Sequence, residues 1–367
     1  MTADDRNADS PEPGLEPNNV GRESFDLPEH LPPVQPPSAG FIVQLFVVPA
    51  IIVAVVVGLY LLFTRMASGE ADWRQLVSDI RSENPHVRWS SANQLATLLT
   101  DAAQQPVDPA AGPSLSSNRE IAQALVPQFT ELAKKTTPTE EEQLQVEFLG
   151  KAIGQLDVPD LVIPALIDAA QPGDEGEFRQ MLRKTALNSL AMVVGRARDR
   201  DLLTTLPPDL DTRVARISED SSRLFRNQAA FVLGLSGGQA ALERLQAMLE
   251  DPEPLVRANA AVGLARNDSK RALPVLEEIL QDSADWKLDP PAPGESAEKA
   301  AIEDGVRFER IKMLGNALRA VGDLGPQLSD EERARVTKEV QRISTSFPVL
   351  ELRSVALKTV DALAPTK

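Results

Sequence analysis

The sequence predicts an all-α fold: an α-solenoid of stacked helix pairs, preceded by one transmembrane helix and a disordered tail. Three observations carry this expectation. Apolar residues recur at helical spacing along most of the 367 residues. One short pattern returns several times. A stretch of 23 residues without a single charge stands ahead of the repeats.

The pattern is clearest over Asp251–Asp282. It opens Asp251-Pro252-Glu253-Pro254-Leu255-Val256-Arg257 and continues with Ala260, Ala261, Leu264 and Ala265. After Arg266-Asn267-Asp268-Ser269 it resumes with Leu273-Pro274, Leu276, Ile279 and Leu280. Two short amphipathic helices joined by a turn follow from this spacing. Neither buries its apolar face alone, so the unit needs copies beside it. Phe225-Arg226, Ala229, Ala230 and Leu233 repeat the first helix 31 residues earlier, with Asp220 in the register of Asp251. Val87-Arg88, Leu182-Arg183 and Leu352-Arg353 open further copies. Two degenerate copies, around Leu149–Gly154 and Leu314–Leu318, keep the apolar spacing and lose the arginine. Val126-Pro127, Ile163-Pro164 and Leu273-Pro274 mark second helices, read as prolines in a first turn.

The Asp…Val-Arg-x-x-Ala-Ala-x-x-Leu-Ala pattern resembles the HEAT family, in the short form of the phycobilisome lyases. The likeness covers about Trp73 to Leu363. It implies a right-handed α-solenoid of about six to seven HEAT-like helix pairs. It also implies a structural ladder in which Arg88, Arg183, Arg226, Arg257 and Arg353 line up and pair with acids such as Asp220 and Asp251. Such repeats serve scaffolds, adaptors and a few enzymes.

The elements follow in order. Residues 1–40 hold eight prolines, and eight acids against Arg6 and Arg22. This acidic, proline-rich tail lacks the apolar surface to offset its ordering entropy and is read as disordered. Leu31–Pro37 has the composition of a polyproline ligand, with an extended spacer as the plainer reading. Phe41–Phe63 is apolar all round, with Tyr60 near one end, and is long enough for a bilayer core. An acidic leader and a long apolar run argue against a cleaved signal peptide. Arg65 and Arg74 follow the span and no base lies close before it. The positive-inside rule therefore puts the solenoid in the cytoplasm and the tail outside a cell membrane crossed once.

Residues 64–72 are a linker and 73–367 the solenoid. Trp73–Ile80 reads as a capping helix and Val87–Leu99 as the first repeat helix. A proline-bearing loop fills 101–117, and the partner helix resumes at Ile121–Leu132. Thr139 with Glu142 forms a capping box that opens a helix to Leu156, paired with Leu161–Ala170. Gln171–Glu177 is a turn. Met181–Val194 pairs with Asp201–Leu206, and Leu224–Leu235 with Leu242–Leu249. After Asp251–Asp282, residues 284–305 are read as a loop insertion holding Trp286 and three prolines. Arg307–Val321 pairs with Ser329–Ile343, where Ser329 and Glu332 repeat the capping box. Val349–Leu363 closes the array.

Bulk chemistry narrows function. The formal charge is −16, against the basic stripe a nucleic-acid surface needs. Without cysteine there is no disulfide or thiolate chemistry. The two histidines, His30 and His86, form no zinc motif. Glu140-Glu141-Glu142 and Asp330-Glu331-Glu332 read as first-turn acids that offset a helix dipole. Arg196, Arg198 and Arg200 alternate with Asp199 and Asp201, either as a solvated loop or as an anion site. No catalytic residue, cofactor or metal is assigned. The expected function is a membrane-anchored, non-catalytic scaffold or adaptor for a membrane-associated protein, bound to the bilayer through Phe41–Phe63. Trp286 is the candidate contact residue, since solenoid insertions gather on a binding face. The alternative is an enzyme or enzyme subunit related to the bilin lyases.

Overall fold

The computed structural model describes residues 40, 47–48, 50–59, 72–104, 114–173, 176–290 and 296–364. The chain divides into two units, 1–69 and 70–367. In the first, 50–59 is helical, and its valines and isoleucines are exposed. Among the described residues no helix is long and apolar enough to cross a membrane. The tail of 1–39, the ends of the 41–63 stretch and the linker up to 71 lie outside the described residues.

Among its described residues the second unit holds helices and turns and no strand. Its described residues form α1 (Trp73–Asp79), α2 (Pro85–Gln104), α3 (Arg119–Ala133), α4 (Glu140–Ile153), α5 (Pro159–Ala170), α6 (Glu177–Asp199) and α7 (Leu210–Ile217). They continue with α8 (Arg223–Ser236), α9 (Gln239–Met248), α10 (Pro254–Arg266), α11 (Leu273–Asp282), α12 (Ala297–Leu324), α13 (Asp330–Ser346) and α14 (Leu350–Leu363). The even-numbered helices pack side by side in one layer. The odd-numbered ones cover them, and each odd helix packs on the even helix that follows it. Seven pairs result. The core is a continuous band of Leu, Ile, Val and Ala between the layers, with the rings of Phe129, Phe225 and Phe347 buried in it.

Local sequence explains the helix starts. Asn118 accepts from the backbone N–H groups of Glu120 and Ile121 and so caps α3. Thr139 and Ser329 both form capping boxes, with Glu142 and Glu332 reaching back to the cap N–H at 2.9 and 2.7 Å. Small residues set the spacing of the even layer. A Cβ on Gly234 would lie 2.6 Å from the Gly263 Cα, so α8 and α10 touch backbone to backbone there.

Four sequence expectations change. The partner of α6 is not Asp201–Leu206. Asp201 takes a left-handed φ of 56° that ends α6, and Leu203–Thr205 is a single 3₁₀ turn. Leu206 precedes Pro207, which disfavours a helix there, and α7 forms beyond it. Pro127 and Pro164 lie inside α3 and α5 rather than in a first turn. Each frees the carbonyl four residues back, on Gln123 and Asp160, both exposed residues. The loop predicted over 101–117 begins later, because α2 continues to Gln104, and 115–117 is a 3₁₀ turn. The insertion of 284–305 is a loop only in its first part. Ser296 caps Lys299, and α12 starts at Ala297, ten residues before the predicted Arg307.

Candidate functional site

The repeat arginines sit near the N-terminal ends of the even helices. Four of them donate to the carbonyl six residues back: Arg88 to Ser82 at 2.7 Å, Arg226 to Asp220 at 3.1 Å, Arg257 to Asp251 at 3.0 Å, and Arg353 to Phe347. Arg183 reaches the Ala170 carbonyl instead, at 3.1 Å, thirteen residues back, because a longer connection separates α5 from α6. The planar guanidinium fork leaves further donors free for a carboxylate. Arg226 uses two on Asp251, at 2.8 and 3.0 Å. Arg183 binds Asp220, and its guanidinium lies 3.8 Å from the Phe225 ring centre. Arg88 pairs with Glu141, and Arg257 with Glu278 at 3.1 Å. No described acid pairs with Arg353. Both aspartates also accept from the backbone N–H two residues on, at 2.8 Å in Ser222 and 2.9 Å in Glu253. Burial by itself would raise the Asp251 carboxyl. The hydrogen bonds from Arg226 and Glu253 outweigh it and hold the group below the ordinary carboxylate range.

A second arginine row closes the opposite ends. Arg196, Arg198 and Arg200 lie neither in a solvated loop nor at an open anion site. Arg196 donates to the Gly154 carbonyl at 2.7 Å and to Asp157 at 2.6 Å. Arg200 binds the same aspartate at 2.5 Å and the Ala103 carbonyl at 3.3 Å. Arg198 reaches the Leu235 carbonyl at 2.9 Å, the Arg266 carbonyl at 3.0 Å and Asn267 at 3.0 Å. Helix C-termini expose unpaired carbonyls and a partial negative charge, which is what these guanidinium groups satisfy. Burial tends to raise Asp157, yet its bonds from Arg196, Ser116 and Arg200 leave it below the ordinary range.

The chemistry suspects resolve into caps. Glu140, Glu141 and Glu142 fill the first turn of α4, and Asp330, Glu331 and Glu332 that of α13. Glu332 is held down to about 2 by the hydrogen bond from Lys270, with the Ser329 backbone second. His86 is exposed at the start of α2, and its backbone N–H donates to the Asn84 side chain. His30 lies outside the described residues. Among the described residues no cluster of histidine and acids is arranged to hold a metal. Trp286 is half buried, folded against the core, with the Arg310 guanidinium 5.8 Å from its ring centre.

Two surface hollows are notable. A groove of about 410 Å³ runs past Arg119, Asp160, Asp157, Arg196 and Arg200. Its charges are mutually paired, with Arg119 on Asp160 at 2.7 and 2.9 Å. The smaller hollow, about 150 Å³, crosses the outer face of α6, α8 and α10. Here Gln228 donates to Asn188 at 2.9 Å, and Asn259 to Asn227 at 2.7 Å. Gln228 Oε1 is buried and has no partner among the described residues. Beside this amide row Met192 is 40% and Phe231 43% exposed. The Arg266 guanidinium lies 5.7 Å from the Phe231 ring centre and makes no hydrogen bond among the described residues. No sequence motif announces this strip, because its residues come from three repeats and only adjacency joins them.

Residues 210–288, from α7 through α11 to just past Trp286, match a family model described as HEAT repeats. Similar solved structures include the complex of CpcE and CpcF of phycocyanin lyase from Nostoc sp. PCC7120. It is 16% identical, covering 79% of this chain and 94% of that one, with a TM-score of 0.38. A designed armadillo repeat protein in complex with the peptide (KR)4 is 12% identical, covering 80% and 100%, with a TM-score of 0.35. Human deoxyhypusine hydroxylase in complex with glycerol is 17% identical, covering 80% and 96%, with a TM-score of 0.28. No curated protein matches the chain.

Proposed function

We propose that this protein is a non-catalytic repeat scaffold, anchored in a membrane, that holds another protein on the outer face of α6, α8 and α10. One observation carries the reading. A row of amides, Asn188, Gln228, Asn227 and Asn259, runs beside exposed Met192 and Phe231, with the half-buried Arg266 guanidinium over the Phe231 ring. Exposed aromatic and arginine side chains are the usual anchors of an interface. The uncharged stretch of 41–63 supports the anchor, and Arg65 and Arg74 beyond it favour a cytoplasmic solenoid by the positive-inside rule. Trp286 is left as a secondary contact, since packing already takes up most of its surface.

In-cell crosslinking with mass spectrometry tests this in the full chain. Phe231→Asp is expected to reduce recovery of one stoichiometric partner at least about tenfold, with helicity unchanged. Trp286→Ala is expected to reduce it far less. Undiminished recovery with Phe231→Asp overturns the strip as the docking face.

A further inference from the structure

The N-terminal end of α12 reaches beyond the core of the array. The helix runs 28 residues, against 13 for α10 and 14 for α14, its neighbours in the layer. Every buried residue of α12 lies at or beyond Leu314. Residues 297–306 are exposed except for half-buried Ala300. At 1.5 Å per residue, the segment ahead of Arg310 projects by about 20 Å. A short helix on its own is marginal in water, and Gly305 costs this one about 1 kcal/mol relative to alanine.

Its chemistry is that of an interface. Ala301, Ile302, Gly305 and Phe308 fall on one face by helical spacing, opposite Arg307, Ile311 and Leu314, which turn toward the body. Ile302 is 62% and Phe308 57% exposed. Nothing lies within 4 Å of where a Gly305 Cβ would be, so another backbone can come close there. Residues 297–304 carry Glu298, Glu303 and Asp304 against Lys299. Residues 306–313 carry Arg307, Arg310 and Lys312 against Glu309. Arg307 pairs with Asp304 and Arg310 donates to the Lys287 carbonyl, so the Gly305 face itself carries Glu298 on one side of the glycine and Glu309 with Lys312 on the other.

We infer that this overhang is a self-association surface, on which two copies of the chain pair antiparallel about a two-fold axis at Gly305. The antiparallel arrangement sets Glu298 of each copy opposite Lys312 of the other, and Ile302 opposite Phe308. A parallel pair would set like charges together. An axis through Gly305 uses the same patch on both copies, as a closed dimer requires. This surface lies apart from the α6–α8–α10 strip, and its test does not need that reading to hold.

The absence of cysteine makes the test clean. Single-cysteine variants Glu298→Cys and Lys312→Cys of the full chain are prepared in detergent and treated with a short bis-maleimide. Mixing the two is expected to give a crosslinked dimer, and either alone little. Ile302→Asp with Phe308→Asp, both at exposed positions, is expected to lower the crosslinked yield at least about tenfold while leaving helicity and melting temperature unchanged. Self-crosslinking of Glu298→Cys at the yield of the mixture overturns the antiparallel register. A dimer that persists undiminished with both aspartates, or no crosslink in the mixture, overturns the surface.

Discussion

At the residue scale, the ladder pairs are unequal. The Arg183 and Asp220 side chains are 4% and 6% exposed, whereas Glu278, the acid of Arg257, is 48% exposed. Removing one partner of a buried pair strands the other and costs about 3–5 kcal/mol, while exposed pairs contribute about 0–1 kcal/mol. Asp220→Ala is therefore expected to lower unfolding free energy by about 3–5 kcal/mol in a denaturant titration, and Glu278→Ala by about 1 at most. Acid sensitivity follows from Asp251. Its folded value lies below the ordinary 3.8. The contribution is thus complete above about pH 4 and is lost as pH falls through the folded value. Melting temperature is expected to drop below pH 4, and Asp251→Asn to flatten that drop. Asp220 and Asp251 were legible because the repeat sets them in register. The Arg196–Arg200 row was not, since it satisfies carbonyls, and a carbonyl leaves no mark on the residue letters.

At the element scale, close helix approach depends on what is missing from a side chain. A Cβ on Gly263 would sit 2.9 Å from the Gly234 Cα. Gly234→Ala is expected to part α8 from α10 and destabilise by about 1–3 kcal/mol, read as a fall in denaturant midpoint at constant slope. The helices with Val-Arg and double-alanine marks were readable from the letters alone. The short α7 was not, because Pro207-Pro208 ahead of it mimic the end of a unit. The early start of α12 was hidden for a similar reason. Pro290, Pro291 and Pro293 announce a loop, and nothing in Ala297–Val306 faces a core, so the apolar spacing that betrays packed helices is absent there.

At the scale of the whole molecule, a repeat array is ordinarily coupled only between neighbours, and it unfolds piecewise from its ends. This array departs from that rule. Arg198 ties α6 to both α8 and α10, and Arg200 carries α6 back to the end of α2 past α4. Backbone amides of α6, α8 and α10 are expected to exchange hydrogen as one group with one opening free energy. Arg198→Ala is expected to split that group, a result that hydrogen-exchange mass spectrometry resolves helix by helix. The same ties have a mechanical consequence. A load drawn between the ends of the solenoid would peel α14 and α13 away first. It would then halt at the riveted middle, which yields as a block, so the chain would behave as a spring with a stop rather than a uniformly unravelling thread.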